Sequence, residues 1–316
     1  MERNLFMAMA LRFKSFIHRL RPRKSKVPRW DKHGEVWGGQ YVASDPYVTE
    51  TAAGVRVMYY TDWDGWTKPV KITEPQIRNY INKAAETGAG GAWADAGTAK
   101  APEPGEWCEA CETICVFEDV LYYAGYTDAA ADTGNMPASI GRGIEPGAEI
   151  IAITDHARSA SMCASPAIIR HGTTLYMLYC GHDYVSPANT PCILGAVSTD
   201  DGANWTVQTD VVLDARSDIA WMVDGAAEPS IVKRGGRYWL FFTGLKGEER
   251  VIGQAHAPHP FGPYKVLPDI IVGEDDAETY RSIAPHVIYK NGKWRMWYTY
   301  ATGGTYTIHY ATALTG

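Results

Sequence analysis

From about residue 42 onward, the chain alternates short apolar runs rich in Val, Ile, Tyr, Phe and Trp with clusters of Gly, Asn and Asp, and the alternation recurs as a unit. In each unit an apolar strand runs into a tight turn and returns as an aromatic-rich strand. Units begin at Asp45-Pro46 (DPYV, then VMYYT), Glu112-Thr113 (ETICV, then VLYYAG), Ser165-Pro166 (SPAII, then LYMLYCG), Glu228-Pro229 (EPSIV, then YWLFFTG) and Ala284-Pro285 (APHVI, then WRMWYTY). The turns hold Ala53-Gly54, Phe117-Glu118-Asp119, His171-Gly172, Gly235-Gly236 and Asn291-Gly292, which read as hairpins between strands. From Ser165 to Cys180, Glu228 to Thr243 and Ala284 to Thr299 the offset is 15 residues, and from Asp45 to Thr61 it is 16.

Repeats of strands and turns at this spacing are the signature of propeller blades rather than of a helical solenoid. A further strand follows each hairpin, as in ILGAVS at 193–198, VIGQAHA at 251–257 and TYTIHYATA at 305–313. The last unit reaches Gly316 before a fourth strand could form, so a segment near 34–42 (GEVWGGQYV) is expected to supply it and close the ring, removing exposed sheet edges. The predicted fold is all-β: a five-bladed β-propeller over residues 31–316, preceded by an N-terminal basic amphipathic helix and linker over 1–30.

Composition changes this picture mainly at the N-terminus. The chain is 46% hydrophobic and 21% charged with a net charge of −6, as a single large domain would be, and no run of 18 apolar residues could span a membrane. Residues 1–30 carry nine Lys/Arg against one acid, so the remainder stands at −14, which argues against nucleic acid as a partner of the propeller. Leu5, Met9, Phe13, Phe16 and Leu20 fall at helical spacing among Arg12, Lys14, Arg19, Arg21, Arg23, Lys24 and Lys26. Such a helix either makes peripheral contact with an anionic membrane through residues 1–26 or packs on the propeller ahead of a basic linker. A secretory signal fits poorly, because the apolar stretch is short and basic residues follow it directly, so cytoplasmic residence is expected.

Of the six cysteines, Cys108-x-x-Cys111 followed by Cys115 could hold a metal if Cys163 supplied a fourth ligand. Cys115, Cys180 and Cys192 lie in or beside strands, where free Cys behaves as a small buried hydrophobe, so reduced thiols are the first expectation.

If the first strand of each unit lines a central channel, Asp45, Glu112, Ser165, Glu228 and Ala284 ring one mouth. The loops at that mouth contain Trp63 and Trp66, His182 and Asp183, Trp221 and Asp224, then Lys246, Glu248, Glu249, Arg250 and Arg281. Aromatic rings among carboxylates and a few cations suit a sugar, which offers apolar CH faces and hydroxyls. A single acid before Pro can simply cap a turn. Three acids at related positions of a ring point at one volume, where they cannot all ionise freely, and a protonated carboxyl beside an ionised one is what glycoside hydrolysis needs.

The Asp-Pro start, the EPSIV start with its KRGGRYWLFFTG hairpin, and the AHAPHPFGPY segment resemble the five-bladed furanosidase superfamily over roughly residues 40–316. That superfamily contains glycoside hydrolase families 43, 32 and 68 and, more distantly, the family 130 mannoside phosphorylases. The resemblance implies Asp45 as general base or nucleophile and Glu228 as general acid, with no cofactor required. It also implies an aspartate at the third start, where this chain has Ser165; Glu112 or Asp224 is then expected to compensate. Strand alternation puts Tyr47, Ile114, Ala167, Ser230 and His286 below the ring. His286 would either help hold a hydrated channel cation (Ca or Na), as the resemblance implies, or bond to channel water.

Ser198-x-Asp200-x-Gly202-x-x-Trp205 matches the Asp-box turn of sialidase-type propellers and is expected to be a fold element. The leading expectation is a glycoside hydrolase acting on carbohydrate with Asp45, Glu228 and Glu112 as its acids and Trp63, Trp66, His182, Asp183, Trp221, Asp224 and Arg281 contacting substrate. A sugar transferase or phosphorylase, or a non-catalytic glycan-binding propeller, remain the alternatives.

Overall fold

The computed structural model describes residues 30–38, 42–51, 54–64, 78–87, 92–103, 107–126, 137–144, 147–184, 190–273, 281–302 and 305–314. The expected N-terminal helix, within residues 1–29, lies outside them, as does Trp66.

The described chain is nearly all-β, with two single-turn 3-10 segments at 153–155 and 157–159 as its helical pieces. Its strands form antiparallel meanders of four. The first comprises β2 (Val42–Glu50), β3 (Arg56–Asp64), β4 (Arg78–Thr87) and β5 (Ala92–Lys100). The second comprises β6 (Ala110–Phe117), β7 (Val120–Tyr126), β8 (Ala138–Arg142) and β9 (Ala148–Ile151). Next come β10 (Met162–His171), β11 (Thr174–His182), β12 (Cys192–Ser198) and β13 (Thr206–Val207), then β14 (Gly225–Arg234), β15 (Arg237–Lys246), β16 (Glu249–Ala257) and β17 (Lys265–Val266). In the last meander β18 (Arg281–Lys290), β19 (Lys293–Thr302) and β20 (Thr305–Leu314) are completed by β1 (Trp30–Trp37), which pairs antiparallel with β20 from Trp30↔Ala313 to Trp37↔Ile308. The closing strand, Trp30–Trp37, overlaps the expected 34–42 segment at 34–37, begins ahead of it, and leaves Val42 onward free to start β2.

The first strands pack on one another in cyclic order, β2 on β6, β6 on β10, β10 on β14, β14 on β18 and β18 on β2, which is the propeller arrangement. Alternate faces of neighbouring meanders interlock as the core. Trp294, Met296 and Tyr298 of β19 meet Phe241, and Leu178 and Ile193 meet Leu240, Phe242 and Met222. Gly202 and Trp205 behave as the Asp-box reading expects: the Gly202 amide donates to Ser198 Oγ (2.9 Å), Asn204 N to Asp200 Oδ1 (2.9 Å), and Trp205 Nε1 to the Gly202 carbonyl (3.1 Å).

Each first strand carries one non-glycine residue in the left-handed region: Asp45 (φ 51), Thr113 (φ 49), Ser165 (φ 54), Glu228 (φ 53) and Ala284 (φ 50). In the second meander the equivalent residue is therefore Thr113, one place after Glu112. Ladder pairing skips two residues in the other four strands, from Ser44 to Tyr47, Ala164 to Ala167, Ala227 to Ser230 and Ile283 to His286, whereas β6 skips only Thr113. These are β-bulges, and proline fits the skipped position because it has no N–H to leave unpaired.

The bulge turns the left-handed residue's amide toward the preceding meander, where a side chain on the second strand receives it. Thr61 Oγ1 accepts from Thr113 N (3.1 Å), Thr243 Oγ1 from Ala284 N (3.1 Å) and Thr299 Oγ1 from Asp45 N (2.8 Å). Cys180 holds the same place toward the Glu228 amide. In the second meander that place is Ala124, and Ser165 N bonds Thr113 Oγ1 instead (2.9 Å). Thr299 is fully buried, so Thr299→Val would strand the Asp45 amide without a partner and is expected to lower stability by about 1–3 kcal/mol. The measurement is the urea midpoint; a midpoint unchanged from the parent's would remove this bond from the account of stability.

Candidate functional site

The five left-handed residues and the prolines that follow four of them converge on one central cavity. It is lined by Asp45, Thr113, Ser165, Glu228 and Ala284 at the level of the bulges and by Tyr47, Ile114, Ala167, Ser230 and His286 below. Sequence alternation had placed both levels, with Thr113 taking the place expected for Glu112.

Two of the acids are held by the same device. Thr243 donates to Glu228 Oε2 (2.5 Å) while accepting the Ala284 amide, which also donates to Glu228 Oε2 (2.8 Å). Thr61 likewise bonds the Asp45 carboxylate while accepting the Thr113 amide, and Ser44 Oγ donates to Asp45 Oδ2 at 2.6 Å. Glu112, one residue before Thr113, lies within electrostatic reach of both carboxyls and accepts a hydrogen bond from the buried Tyr126 hydroxyl.

Burial and mutual repulsion separate the three carboxyls. Burial raises Asp45 above the usual aspartate value, and the bonds from Ser44 and Thr61 oppose it. Glu228 is pushed up to about 7, first by burial and then by the charge of Asp45. Glu112 is pushed up to about 8 by burial, then by Asp45, with Glu228 adding to it. Asp45 therefore ionises before the other two, and its charge keeps Glu228 and Glu112 protonated toward neutral pH. The arrangement can hold one carboxylate and one transferable proton at a shared cavity.

The rim contains residues that sequence reasoning found, misplaced or missed. His182 ends β11 with its ring 4.0 Å from that of Tyr184, and its pKa is lowered by burial. Asp183 is buried and accepts from Ser161 Oγ at 3.4 Å. Asp224 accepts the Gly247 amide (2.6 Å), and Arg281 pairs with Glu248. Trp63 sits on β3 opposite Val42.

Trp221 corrects the expectation. It is 7% exposed, packs against Phe242, donates Nε1 to the Pro268 carbonyl (2.9 Å), and covers Gly244 and Gly253, where a Cβ would meet its ring. Trp107 lies in the same way over Gly125 and Gly141. These rings seal the sheet rather than offer a platform to a sugar. Tyr126 and Tyr184 were missed. Both phenols lie within electrostatic reach of Glu112, and Tyr184 also of Glu228. Tyr126 is the tyrosine that follows YYAG in the second unit, at a strand end, which is the one signal that could have marked it.

Cysteine and metal expectations also change. Cys108 and Cys111 are joined as a disulfide rather than reduced, whereas Cys115, Cys163, Cys180 and Cys192 are buried free thiols. Cys163 packs with Tyr179 and Ile151, in a different cluster from the Cys108–Cys111 pair, so it is not a fourth ligand to them. Among the described residues no three His, Cys, Asp or Glu gather as a metal site. His286 has its Nε2 at 3.0 Å from the Val48 carbonyl, its ring 4.0 Å from Tyr47, and its pKa lowered to about 4 by burial. Beside it Ser230 Oγ accepts the Val287 amide and the Tyr47 hydroxyl donates to the Val116 carbonyl. His286 is a neutral imidazole bracing β2 against β18.

No known protein family profile matches the chain, and no curated protein matches it. Solved structures do match. A thermostable family-43 glycoside hydrolase aligns at TM-score 0.61 and 16% identity, over 86% of this chain and 90% of that one. The α-L-arabinofuranosidase of Podospora anserina aligns at TM-score 0.63 and 10% identity, over 91% and 97%. A structure from the family 130 mannoside phosphorylases, a family containing hydrolases that target β-1,2 mannosidic linkages in Candida mannan, aligns at TM-score 0.61 and 13% identity, over 87% and 85%. At these identities the likeness is one of fold: the chain shares the propeller fold of these furanosidase-type glycoside hydrolases.

Two outcomes follow from the site's packing and charge. Trp221→Ala is expected to cost about 3–5 kcal/mol in unfolding free energy, as a buried aromatic does, which denaturant titration would read; a stable variant with only weakened sugar affinity would return Trp221 to the mouth. Glu228 and Glu112 hold protons in the folded chain up to about 7 and about 8, against 4.5 for the ordinary group. The folded state therefore binds more protons than the unfolded one across that window, and stability falls as pH rises through it. Thermal unfolding from about pH 5 to about pH 9 should show this fall, and Glu112→Gln should flatten it; identical profiles would show that Glu112 titrates as a solvated acid.

Proposed function

We propose that the chain is a carbohydrate-active propeller of five blades, one per four-stranded meander, that cleaves a glycosidic bond at the mouth of its channel. Asp45 serves as base or nucleophile and Glu228 as the acid that protonates the leaving oxygen. Glu112, hydrogen-bonded by Tyr126, is a third carboxyl, itself held protonated by burial and by the charges of Asp45 and Glu228. The observation that carries the reading is the convergence of Asp45 and Glu228 on one cavity, where burial and the charge of Asp45 push Glu228 up to about 7. That is the division of labour between two carboxyls in glycoside hydrolysis.

Ser165 does not act as a charged partner in this scheme, since a hydroxyl carries no charge at neutral pH. Glu112 supplies the third carboxyl from a different strand, and because it holds its proton to about 8 it acts near neutral pH as a hydrogen-bonding group rather than as a charge. His182 and Tyr184 form the rim against which a sugar ring would lie, Tyr184 being 47% exposed.

The test is a panel of aryl glycosides, including α-L-arabinofuranoside, β-D-xyloside and β-D-fructofuranoside, with the parent beside Asp45→Asn and Glu228→Gln. Turnover by the parent that drops about 10²–10⁴-fold in each variant is the expected result. Turnover that survives both substitutions would overturn the assignment of the acid pair. Sugar binding without turnover in the parent would replace the hydrolase with a glycan-binding propeller.

A further inference from the structure

The strand connections bring two arginines side by side, and Arg250 lies within electrostatic reach of Glu228. Where β16 and β18 meet, Arg250 and Arg281 are direct Cα partners across a parallel contact. Arg281 is engaged with Glu248. Arg250 is half-buried and uses only Nη1, which donates to the Gly247 carbonyl (2.7 Å) and the Glu249 carbonyl (2.9 Å). Among the described residues its Nε and Nη2 have no hydrogen-bond partner.

That unused edge is the planar fork with which a guanidinium takes an oxyanion through two parallel hydrogen bonds. Its vacancy is not for want of acids. Three carboxylates lie within electrostatic range of Arg250, namely Glu248, Glu228 and Asp224. Each has donors elsewhere: Glu248 from Arg281, Glu228 from Thr243 and the Ala284 amide, and Asp224 from the Gly247 amide. Burial and the neighbouring Arg281 charge both act against the ionised form of Arg250. A bound anion would relieve that cost.

We propose that Arg250, backed by Arg281, forms an oxyanion subsite beside Glu228, which takes either the carboxylate of an acidic sugar in the substrate or free phosphate. The proposal rests on the reading of the mouth as a sugar site in choosing these two ligands, but binding at the fork is independent of turnover. A neutral sugar cannot engage both guanidinium hydrogens with one charged group, so the subsite separates acidic from neutral ligands by charge and by geometry.

The experiment is isothermal titration of the full chain with inorganic phosphate, with glucuronate and with glucose, at constant ionic strength. Saturable binding of at least one of the two anions, with none of glucose at the same concentration, is expected. Arg250→Gln should weaken that binding at least tenfold; Arg250→Lys, which keeps the charge without the fork, and Arg281→Gln, which keeps the fork without the second charge, should each weaken it less. Glucuronate alone identifies the source as an acidic sugar, phosphate alone identifies free phosphate, and mutual competition shows one fork serving both. Absence of saturable anion binding, or equal binding by parent and Arg250→Gln, overturns the proposal. Unfolding midpoints of the variants guard against loss through misfolding. Because Glu228→Gln abolishes the proposed turnover but leaves the fork in place, failure of the hydrolase reading and failure of the subsite give different results.

Discussion

One hydrogen bond, repeated with variations around the ring, is the constraint from which the site follows. A left-handed residue at the head of each first strand turns its amide out of its own ladder and toward the preceding meander, where a buried side chain accepts it. Left-handed backbone at a non-glycine residue costs on the order of 1 kcal/mol or more, and five such residues persist because the surrounding structure over-determines them. The same bond does two jobs. Between sheets it joins one meander to the next with fixed geometry, and at Thr61 and Thr243 the accepting hydroxyl also holds the Asp45 and Glu228 carboxyls. The strain is therefore stored where the acids stand, and the ring that bears it also aims them.

Holding acids in this way has an electrostatic cost that the fold does not relieve. Asp45, Glu228 and Glu112 are each raised by burial, and each of the two glutamates is raised further by the charge of Asp45. Bonds from Ser44, Thr61, Thr243, the Ala284 amide and Tyr126 stabilise the ionised forms without overcoming desolvation. A structure selected for stability alone would place such groups in water. Retaining a protonated glutamate at neutral pH beside a more readily ionised aspartate is intelligible as chemistry, because a proton donor and a base must be present together.

The propeller pattern was legible because strand alternation and hairpin chemistry are local, and because the interval from the strand head to the accepting Thr or Cys is nearly constant. Asp45, Ser165, Glu228 and Ala284 were placed correctly on that basis, as were Tyr47 and His286 beneath them. The second unit misled by one residue. It lacks the proline and skips only Thr113 in its ladder, so the conspicuous acid, Glu112, stood in for the left-handed residue. Trp221 was misread because a loop tryptophan beside acids looks the same whether it covers two glycines of its own sheet or faces a ligand. Only the pairing of Gly244 with its neighbours across β15 and β16 decides that. The Cys108–Cys111 pairing is local, but its sequence pattern is shared by metal sites and reduced thiols, and the Tyr126–Glu112 bond depends on the register of the β6–β7 hairpin.

Ser165 ties these strands of argument together. If its position carried an aspartate, a third acid would line the cavity that Asp45 and Glu228 already share, with Glu112 in electrostatic reach of both. Each added negative charge in that volume raises the others, so Glu228 would be driven upward and Asp45 would itself be harder to ionise. The serine removes that load at the mouth, and Glu112 supplies a carboxyl that is pushed to about 8 and so adds little negative charge near neutrality. Moving the third acid from the cavity wall to the flank of β6, under the Tyr126 hydroxyl, lets the site keep a third carboxyl without a third charge. In all five first strands the last paired residue stands immediately before the left-handed one, and of Ser44, Glu112, Ala164, Ala227 and Ile283 only Glu112 is an acid.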